Sequence, residues 1–229
     1  MKLRGHEVTT TLWLFDIDGT LVETGGAGMR ALQEAIVEHF GGNGPALDLA
    51  GSTDLGLLTM IAGHFGLDDG VEEAEGFFAT YLRRLDWNLA HGGFPGKVLP
   101  GVVDLLESLA ATPGVTVGLL TGNIAAGAAA KMRHFGLDRH FAFGAYGCDY
   151  ADRNRLGPVA LERAARHAGR RFTPEETVVI GDTPKDIDCA RAMGSGCVAV
   201  ATGRFTVEDL RAAGATQVVA TLEGLMPCK

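Results

Sequence analysis

Four aspartates sit in two short motifs, each closing an apolar run. Asp16 and Asp18 fall in Phe15-Asp16-Ile17-Asp18-Gly19-Thr20, and Asp182 and Asp186 in Val178-Val179-Ile180-Gly181-Asp182-Thr183-Pro184-Lys185-Asp186. Each motif alone has a structural reading. Asp-Gly is a turn dipeptide. Thr183-Pro184, with Asp186 three residues after the threonine, reads as a capped helix start, a pattern that recurs at Thr173 with Glu176 and at Thr206 with Asp209. A calcium loop counted from Asp16 fails, because Leu21 stands where glycine is required and Ala27 where glutamate is required. If the two motifs meet, four carboxylates converge, and each pair about 4 Å apart repels by roughly 4 kcal/mol at an effective dielectric near 20. Such a cluster demands a cation. Oxygen-only ligands with an open, hydrated face suit Mg2+, which keeps waters and takes one or two carboxylates together with a phosphate.

A third polar break, Leu119-Leu120-Thr121-Gly122-Asn123, places a hydroxyl and free backbone N–H groups at the opening of a helix. That arrangement suits an anionic oxygen. Asn123 also has the plainer reading of an N-cap for a helix starting at Ile124.

The elements that must bring these residues together can be read from periodicity. Residues 11–16 form a short apolar run ending in a turn, and the next comparable strand, 115–121, follows about a hundred residues later. A parallel crossover needs only about 30 residues, so an extra segment lies between the two. That segment reads as wholly helical: Met29, Leu32, Ile36 and Phe40 recur at helical spacing, as do Leu55, Leu58, Ile61 and Phe65, and then Phe78, Tyr81, Leu82, Leu85 and Leu89. After Pro100-Gly101 the chain alternates regularly. Helices are expected over 102–109, 124–135, 158–167, 184–193 and 207–213, and strands over 141–146, 178–181, 197–201 and 217–219. Strand and helix in turn imply an α/β fold, a doubly wound parallel sheet covered on both faces, with ligands at the carboxyl ends of the strands. The expected organisation is a discontinuous core of residues 1–21 and 97–229 with a helical cap over 22–96.

Composition narrows the function classes. With 229 residues, 46% of them apolar, the chain can bury a substantial core. No apolar run reaches the length of a membrane span, and Lys2, Arg4, His6 and Glu7 do not follow a signal-peptide layout, so the cytoplasm is the expected location. Cys148, Cys189, Cys197 and Cys228 show no metal-ligand spacing and read as reduced thiols. A net charge of -8 argues against nucleic acid and anionic membrane as partners. Arg163, Arg166 and Arg170, at helical spacing, read as a solvated face. No feature of the sequence speaks to oligomeric state.

FDIDGT, LLTGN and VIGDTPKD, in that order, resemble the motifs of haloacid dehalogenase superfamily phosphatases, with their Rossmann-like core. The resemblance spans nearly the whole chain. The helical insert is similar to that superfamily's cap, and LPGVVDLLESLA to the return into the core of phosphoglycolate phosphatase-like members. The resemblance implies that Asp16 is the nucleophile and that Asp18 is the general acid and base, which also offers its backbone carbonyl to Mg2+. It implies further that Asp182 is a direct metal ligand and that Asp186 supports the metal through water. Thr121, with the N–H groups of Gly122 and Asn123, would hold the phosphoryl oxygens of a small phosphorylated metabolite. The family also sets a cation, usually lysine, on the phosphate from the loop before the helix expected at Pro158. This chain has no lysine there. Aligning Pro158 with the family's proline puts Arg153 in that place, with Arg155 and Lys185 as alternatives.

Gly26-Ala27-Gly28-Met29-Arg30-Ala31 fits a dinucleotide fingerprint, but it begins ten residues after the first strand ends and reads instead as a hinge into the cap. Gly51-Ser52-Thr53-Asp54 resembles a turn of phosphoglycolate phosphatases and also fits a helix start capped by Ser52 or Asp54. The function expected from the whole is phosphate-monoester hydrolysis through an aspartyl-phosphate. A sugar-phosphate mutase, a 2-haloacid dehalogenase and a non-catalytic phosphate sensor are the alternatives. The acids beyond Asp16 disfavour the dehalogenase, which needs neither a second acid nor a metal.

Overall fold

The structure is a computed structural model and describes residues 11–68 and 70–226. The expectations for residues 2–7 and for Cys228 lie outside them.

Strands β1 (Leu12–Phe15), β4 (Thr116–Leu120), β5 (Gly144–Ala145), β6 (Thr177–Gly181), β7 (Gly196–Val200) and β8 (Gln217–Val219) form one parallel sheet in the order β5-β4-β1-β6-β7-β8. Between them run helices α4 (Val102–Ala110), α5 (Ala125–His134), α6 (Leu156–Ala168), α7 (Pro184–Met193) and α8 (Val207–Ala212). The insert carries β2 (Val22–Glu23), α1 (Ala27–Phe40), α2 (Asp54–His64) and α3 (Ala74–His91), and it rejoins the core through β3 (Lys97–Val98).

Both faces of the sheet are covered, and alternate side chains of each central strand serve opposite faces. Trp13, Phe15, Val178 and Ile180 pack with α4 residues Leu105, Leu106 and Leu109 on one face. Leu12, Leu14 and Val179 pack with Leu156, Ala160 and Ile187 of α6 and α7 on the other. Burial on two faces explains why these strands read as continuous apolar runs without alternation. β1 lies between β4 and β6, with Phe15 level with Leu119 on one side and Ile180 on the other. The three strands that end in polar motifs are therefore neighbours, and their next residues line one edge of the sheet.

The insert packs its apolar stripes into a third cluster: Leu32 and Ile36 of α1, Leu57, Leu58 and Ile61 of α2, and Phe77, Tyr81 and Leu85 of α3. Ile124 and Ala130, at the start of and within α5, belong to the same cluster, so α5 is the core helix on which the insert rests. The expectation of a wholly helical insert is corrected at its entrance. Val22–Glu23 pairs antiparallel with Lys97–Val98, two residues against two, which ties entry and exit together.

Boundaries elsewhere shift by one to three residues. The strand expected over 141–146 shrinks to Gly144–Ala145 at the sheet edge, and α6 starts at Leu156 instead of Pro158. Pro158 still lies in the first turn, where a missing N–H breaks no helical bond. All three expected capping boxes form, at Thr173 with Glu176, Thr183 with Asp186 and Thr206 with Asp209.

Candidate active site

At the end of β1 the Asp16 N–H donates to the Ile180 carbonyl at 2.9 Å, which holds the residue in line with the sheet while its buried side chain enters the edge. The chain then turns tightly. The Ile17 carbonyl accepts the N–H groups of Thr20, Leu21 and Val22 at 3.3, 2.9 and 3.0 Å. Gly19 makes this loop possible for two reasons: its φ is +82°, and a Cβ there would lie 2.3 Å from Asp182 Oδ2. The buried Thr20 hydroxyl donates to Asp182 Oδ1 at 3.2 Å, and so joins the two aspartate motifs.

Asp16, Asp182 and Asp186 are buried and offer carboxylate oxygens within 4.8 Å of one another. Burial pushes Asp182 up to about 8, with Asp186 and Asp16 adding to the effect. Asp16 is pushed up to about 6 by burial, partly offset by Arg153 and raised again by Asp186 and Asp18. A hard-oxygen cluster that resists ionisation for want of positive charge fits a divalent cation such as Mg2+. The three acids do not contribute alike. Asp186 Oδ2 accepts the N–H and hydroxyl of Thr183 at 3.0 and 2.7 Å, and its Oδ1 accepts from Arg153, so both oxygens already have protein partners. The Asp18 side chain is 44% exposed and stands outside this triad.

Arg153 opens a short 3-10 turn (Arg153–Arg155) ahead of α6 and is buried. Its Nη2 donates to Asp16 Oδ1 at 3.0 Å, to the Leu120 carbonyl at 3.2 Å and to Asp186. Burial opposes its charge, but Asp186 and Asp16 outweigh that and raise its pKa above the ordinary guanidinium value. Its Nε is buried without a partner among the described residues. The two alternatives lie elsewhere. Arg155 stacks 3.9 Å above the Tyr150 ring, and Lys185 Nζ donates to Ser52 Oγ at 2.7 Å.

Between β4 and α5 the buried Thr121 hydroxyl accepts the Asn123 backbone N–H at 3.3 Å and its Nδ2 at 2.9 Å. Asn123 does not cap α5. Ile124 occupies the cap position, and its N–H donates to Asp54 Oδ2 at 2.8 Å, a carboxylate supplied by the insert. Asn123 Nδ2 instead reaches Asp18 Oδ2 at 2.8 Å, and its Oδ1 accepts Lys131 Nζ at 2.7 Å. Sequence reasoning does not single out Lys131. Its only signal is a cation seven residues after Ile124, on the stripe that Ile124 and Ala128 bury.

The insert closes directly over this edge. The Asp54 N–H donates to the Gly122 carbonyl at 2.7 Å, the Leu55 N–H to Gly147 at 3.2 Å, and the Thr53 hydroxyl to the Ala151 carbonyl at 2.5 Å. Thr53 is the N-cap of α2, so neither Ser52 nor Asp54 fills that role. Beneath lies a cavity of about 300 Å³ whose floor holds Asp16, Asp18, Asp182 and Arg153 and whose roof includes Met29, Leu57 and Tyr81. Arg163, expected on a solvated face, instead forks onto Asp149 at 2.7 Å through both terminal nitrogens, while Arg166 and Arg170 pair with Glu162 and Glu176. Cys148, Cys189 and Cys197 are free thiols. No helix among the described residues is long and apolar enough to cross a membrane.

The chain is similar to several known proteins. Phosphoglycolate phosphatase 1 of Pseudomonas aeruginosa is 28% identical over 95% of this chain and 79% of its own length. Tyrosine-protein kinase PtkA of Mycobacterium tuberculosis is 30% identical over 84% of the chain, which spans 62% of that relative. The crystal structure of CbbY from Rhodobacter sphaeroides in complex with phosphate superposes with a TM-score of 0.70 at 19% identity, covering 94% of this chain and 96% of that one, and so shares the fold. The haloacid dehalogenase-like hydrolase profile matches residues 11–194, and the chain belongs to that family.

Proposed function

We propose that the chain is a Mg2+-dependent phosphatase of a small phosphate monoester, working through an aspartyl-phosphate on Asp16. The observation that carries the reading is the setting of Asp16. It is a buried carboxylate at the end of the central strand, paired with Arg153, beside Asp182, on the floor of a cavity of about 300 Å³. Three acids facing one arginine have no structural economy, since burying unpaired carboxylates is costly. They make sense as one nucleophile and a cation site. Asp16 and Asp182 would hold the ion, with the Asp18 backbone carbonyl, and Asp186 would support it while anchoring Arg153. When bound, Mg2+ neutralises phosphate charge and lets a dianion approach the carboxylates.

In the first step an Asp16 oxygen forms a bond to phosphorus as the ester P–O bond breaks, and Asp18 gives its proton to the departing alkoxide. In the second, water attacks the acyl-phosphate and loses its proton to Asp18, which releases inorganic phosphate and restores both acids. The Thr121 hydroxyl, the N–H groups of Gly122 and Asn123, and Arg153 are assigned to the phosphoryl oxygens. Residues 22–96 serve as the cap that excludes water from the cavity. The cavity suits a small leaving group, and phosphoglycolate is a natural first substrate to test, given the relative of that name.

Acid quench of a turnover mixture with 32P-labelled substrate tests the covalent step. Label on the wild-type chain that is released by hydroxylamine and absent from Asp16→Asn is the expected result. Steady turnover with no chain-bound label, or an active Asp16→Asn, overturns it. Label that persists on a tyrosine would favour the chemistry named for the PtkA relative.

A further inference from the structure

Lys131 has no part in the chemistry just described, yet the site is built around it. Lysine is almost never fully buried without a partner, and Lys131 is 3% exposed. Its Nζ donates to Asp18 Oδ1 at 2.8 Å, to Asp18 Oδ2 at 2.6 Å and to Asn123 Oδ1 at 2.7 Å. Asn123 then turns its Nδ2 onto Asp18 Oδ2 and onto Thr121 Oγ1. The Asp18 carboxylate thus receives three bonds from two side chains, both on the segment after β4, and none from its own loop among the described residues. Left to itself, a 44% exposed aspartate on a turn would sample several rotamers.

We propose that Lys131 is a positioning residue for proton transfer by Asp18. With Asn123 it ties the orientation of that carboxylate to the phosphate-cradling turn at Thr121. The inference rests on the reading of Asp18 as the acid and base of a phosphatase. Lys131 is well placed for the task because it rises from α5, the helix on which the cap rests. A Cβ on Gly28 of α1 would lie 3.7 Å from its Nζ, so the cap's first helix passes directly over it. A misaligned acid harms esters with poor leaving groups most, since those with good ones depart without a proton. Lys131 is therefore a determinant of which leaving groups the site accepts.

The test compares p-nitrophenyl phosphate with a simple alkyl phosphate in wild type, Lys131→Met, Lys131→Arg, Asp18→Asn and the Lys131→Met/Asp18→Asn double variant. Lys131→Met should lower kcat/KM for the alkyl ester at least about ten-fold more than for the aryl ester, through kcat and not KM. In the Asp18→Asn background it should cause no further selective loss, because the residue it positions is gone. Lys131→Arg, which keeps the charge, should recover part of the alkyl-ester rate. If Lys131→Met does not fold, the arginine variant carries the test, and its loss must still be larger for the alkyl ester. Equal losses on both esters, or losses that add to those of Asp18→Asn, would reduce Lys131 to a structural lysine and overturn the proposal. A wild type that hydrolyses neither ester with Mg2+ would sink the phosphatase reading, and this inference with it.

Discussion

Arg153 holds Asp16 through a single nitrogen: Nη2 lies 3.0 Å from Asp16 Oδ1 and bonds Asp186 as well, with all three side chains buried. Removing the guanidinium therefore strands two carboxylates. Arg153→Ala should lose roughly 3–5 kcal/mol of stability, the usual cost of breaking a buried pair, and at least about a hundred-fold in kcat/KM from lost stabilisation of transition-state charge. Arg153→Lys should restore much of both. An ammonium satisfies the acids and eliminates the unpartnered Nε, but it gives up the reach to the Gly51 carbonyl, 3.3 Å from Nη1. Turnover and a denaturant titration measure the two effects. A near-normal Arg153→Ala beside a crippled Arg155→Ala would move the cation's role two residues along.

The raised carboxylates predict an inverted pH response in the metal-free protein. Asp16 and Asp182 are pushed from the ordinary aspartate value up to about 6 and about 8, so between pH 4 and pH 8 the folded chain binds more protons than the unfolded one. Stability from these groups is therefore complete below pH 4 and is lost as pH rises through 6 and then 8. Thermal midpoints in EDTA should fall across that window. Added Mg2+ should raise them, and by more at pH 8 than at pH 5, because it binds the ionised acids and displaces their protons. A Mg2+ effect independent of pH would show that the ion does not bind this cluster.

Much of this site was legible in the sequence because its parts are local. A strand buried on both faces and closed by an acid stands out at Phe15-Asp16 and again at Gly181-Asp182, and the capping boxes are three-residue patterns. A parallel sheet places the polar strand ends on one edge, but the pairing of β1 with β4 and β6 was not read from the sequence, because a parallel sheet admits many strand orders. Lys131 and Asp54 were not legible. Their partners Asp18 and Ile124 lie 113 and 70 residues away in sequence: the packing of α5 within the core brings Lys131 to the loop after β1, and the fold of the insert over α5 brings Asp54 to Ile124. The ribbon of β2 and β3 escapes a sequence reading for another reason, since two residues per strand are too few to show a period.

Asp54 should act as a latch between cap and core. Its Oδ2 accepts the Ile124 N–H, and burial pushes its carboxyl up to about 6, although that hydrogen bond favours the ionised form. Asp54→Ala removes an acceptor from a helix start and should cost about 1 kcal/mol, the typical worth of a cap. Turnover should fall too, because Ile124 adjoins the phosphate-binding turn. Asp54→Asn keeps an acceptor oxygen and should lie close to wild type in stability. Equal stability losses in both variants would mean that charge, and not the bond to Ile124, is what the latch uses.

Gly122→Ala tests whether the cap segment sits on the phosphate-binding turn during turnover. Gly122 has no left-handed φ, so its backbone accepts alanine without strain. The obstacle is the cap itself, since the new Cβ would lie 1.9 Å from the Ser52 carbonyl oxygen. Ser52 cannot yield alone, because Thr53 and Asp54 follow it and are bonded to Ala151, Gly122 and Ile124. The segment must shift as a unit, which withdraws the roof from the cavity. Overpacking of this kind costs roughly 1–3 kcal/mol, while the misplacement should lower kcat/KM by about a hundred-fold. Gly63→Ala is the control. Gly63 lies within α2, and a methyl there would have open space around it, with nothing within 4 Å. Alanine at that position should stabilise the helix by about 0.5–1 kcal/mol and leave turnover unchanged. Wild-type turnover in Gly122→Ala would mean that catalysis proceeds with the cap lifted from Gly122, and the closed contact between Ser52 and the phosphate-binding turn would then play no part in the reaction.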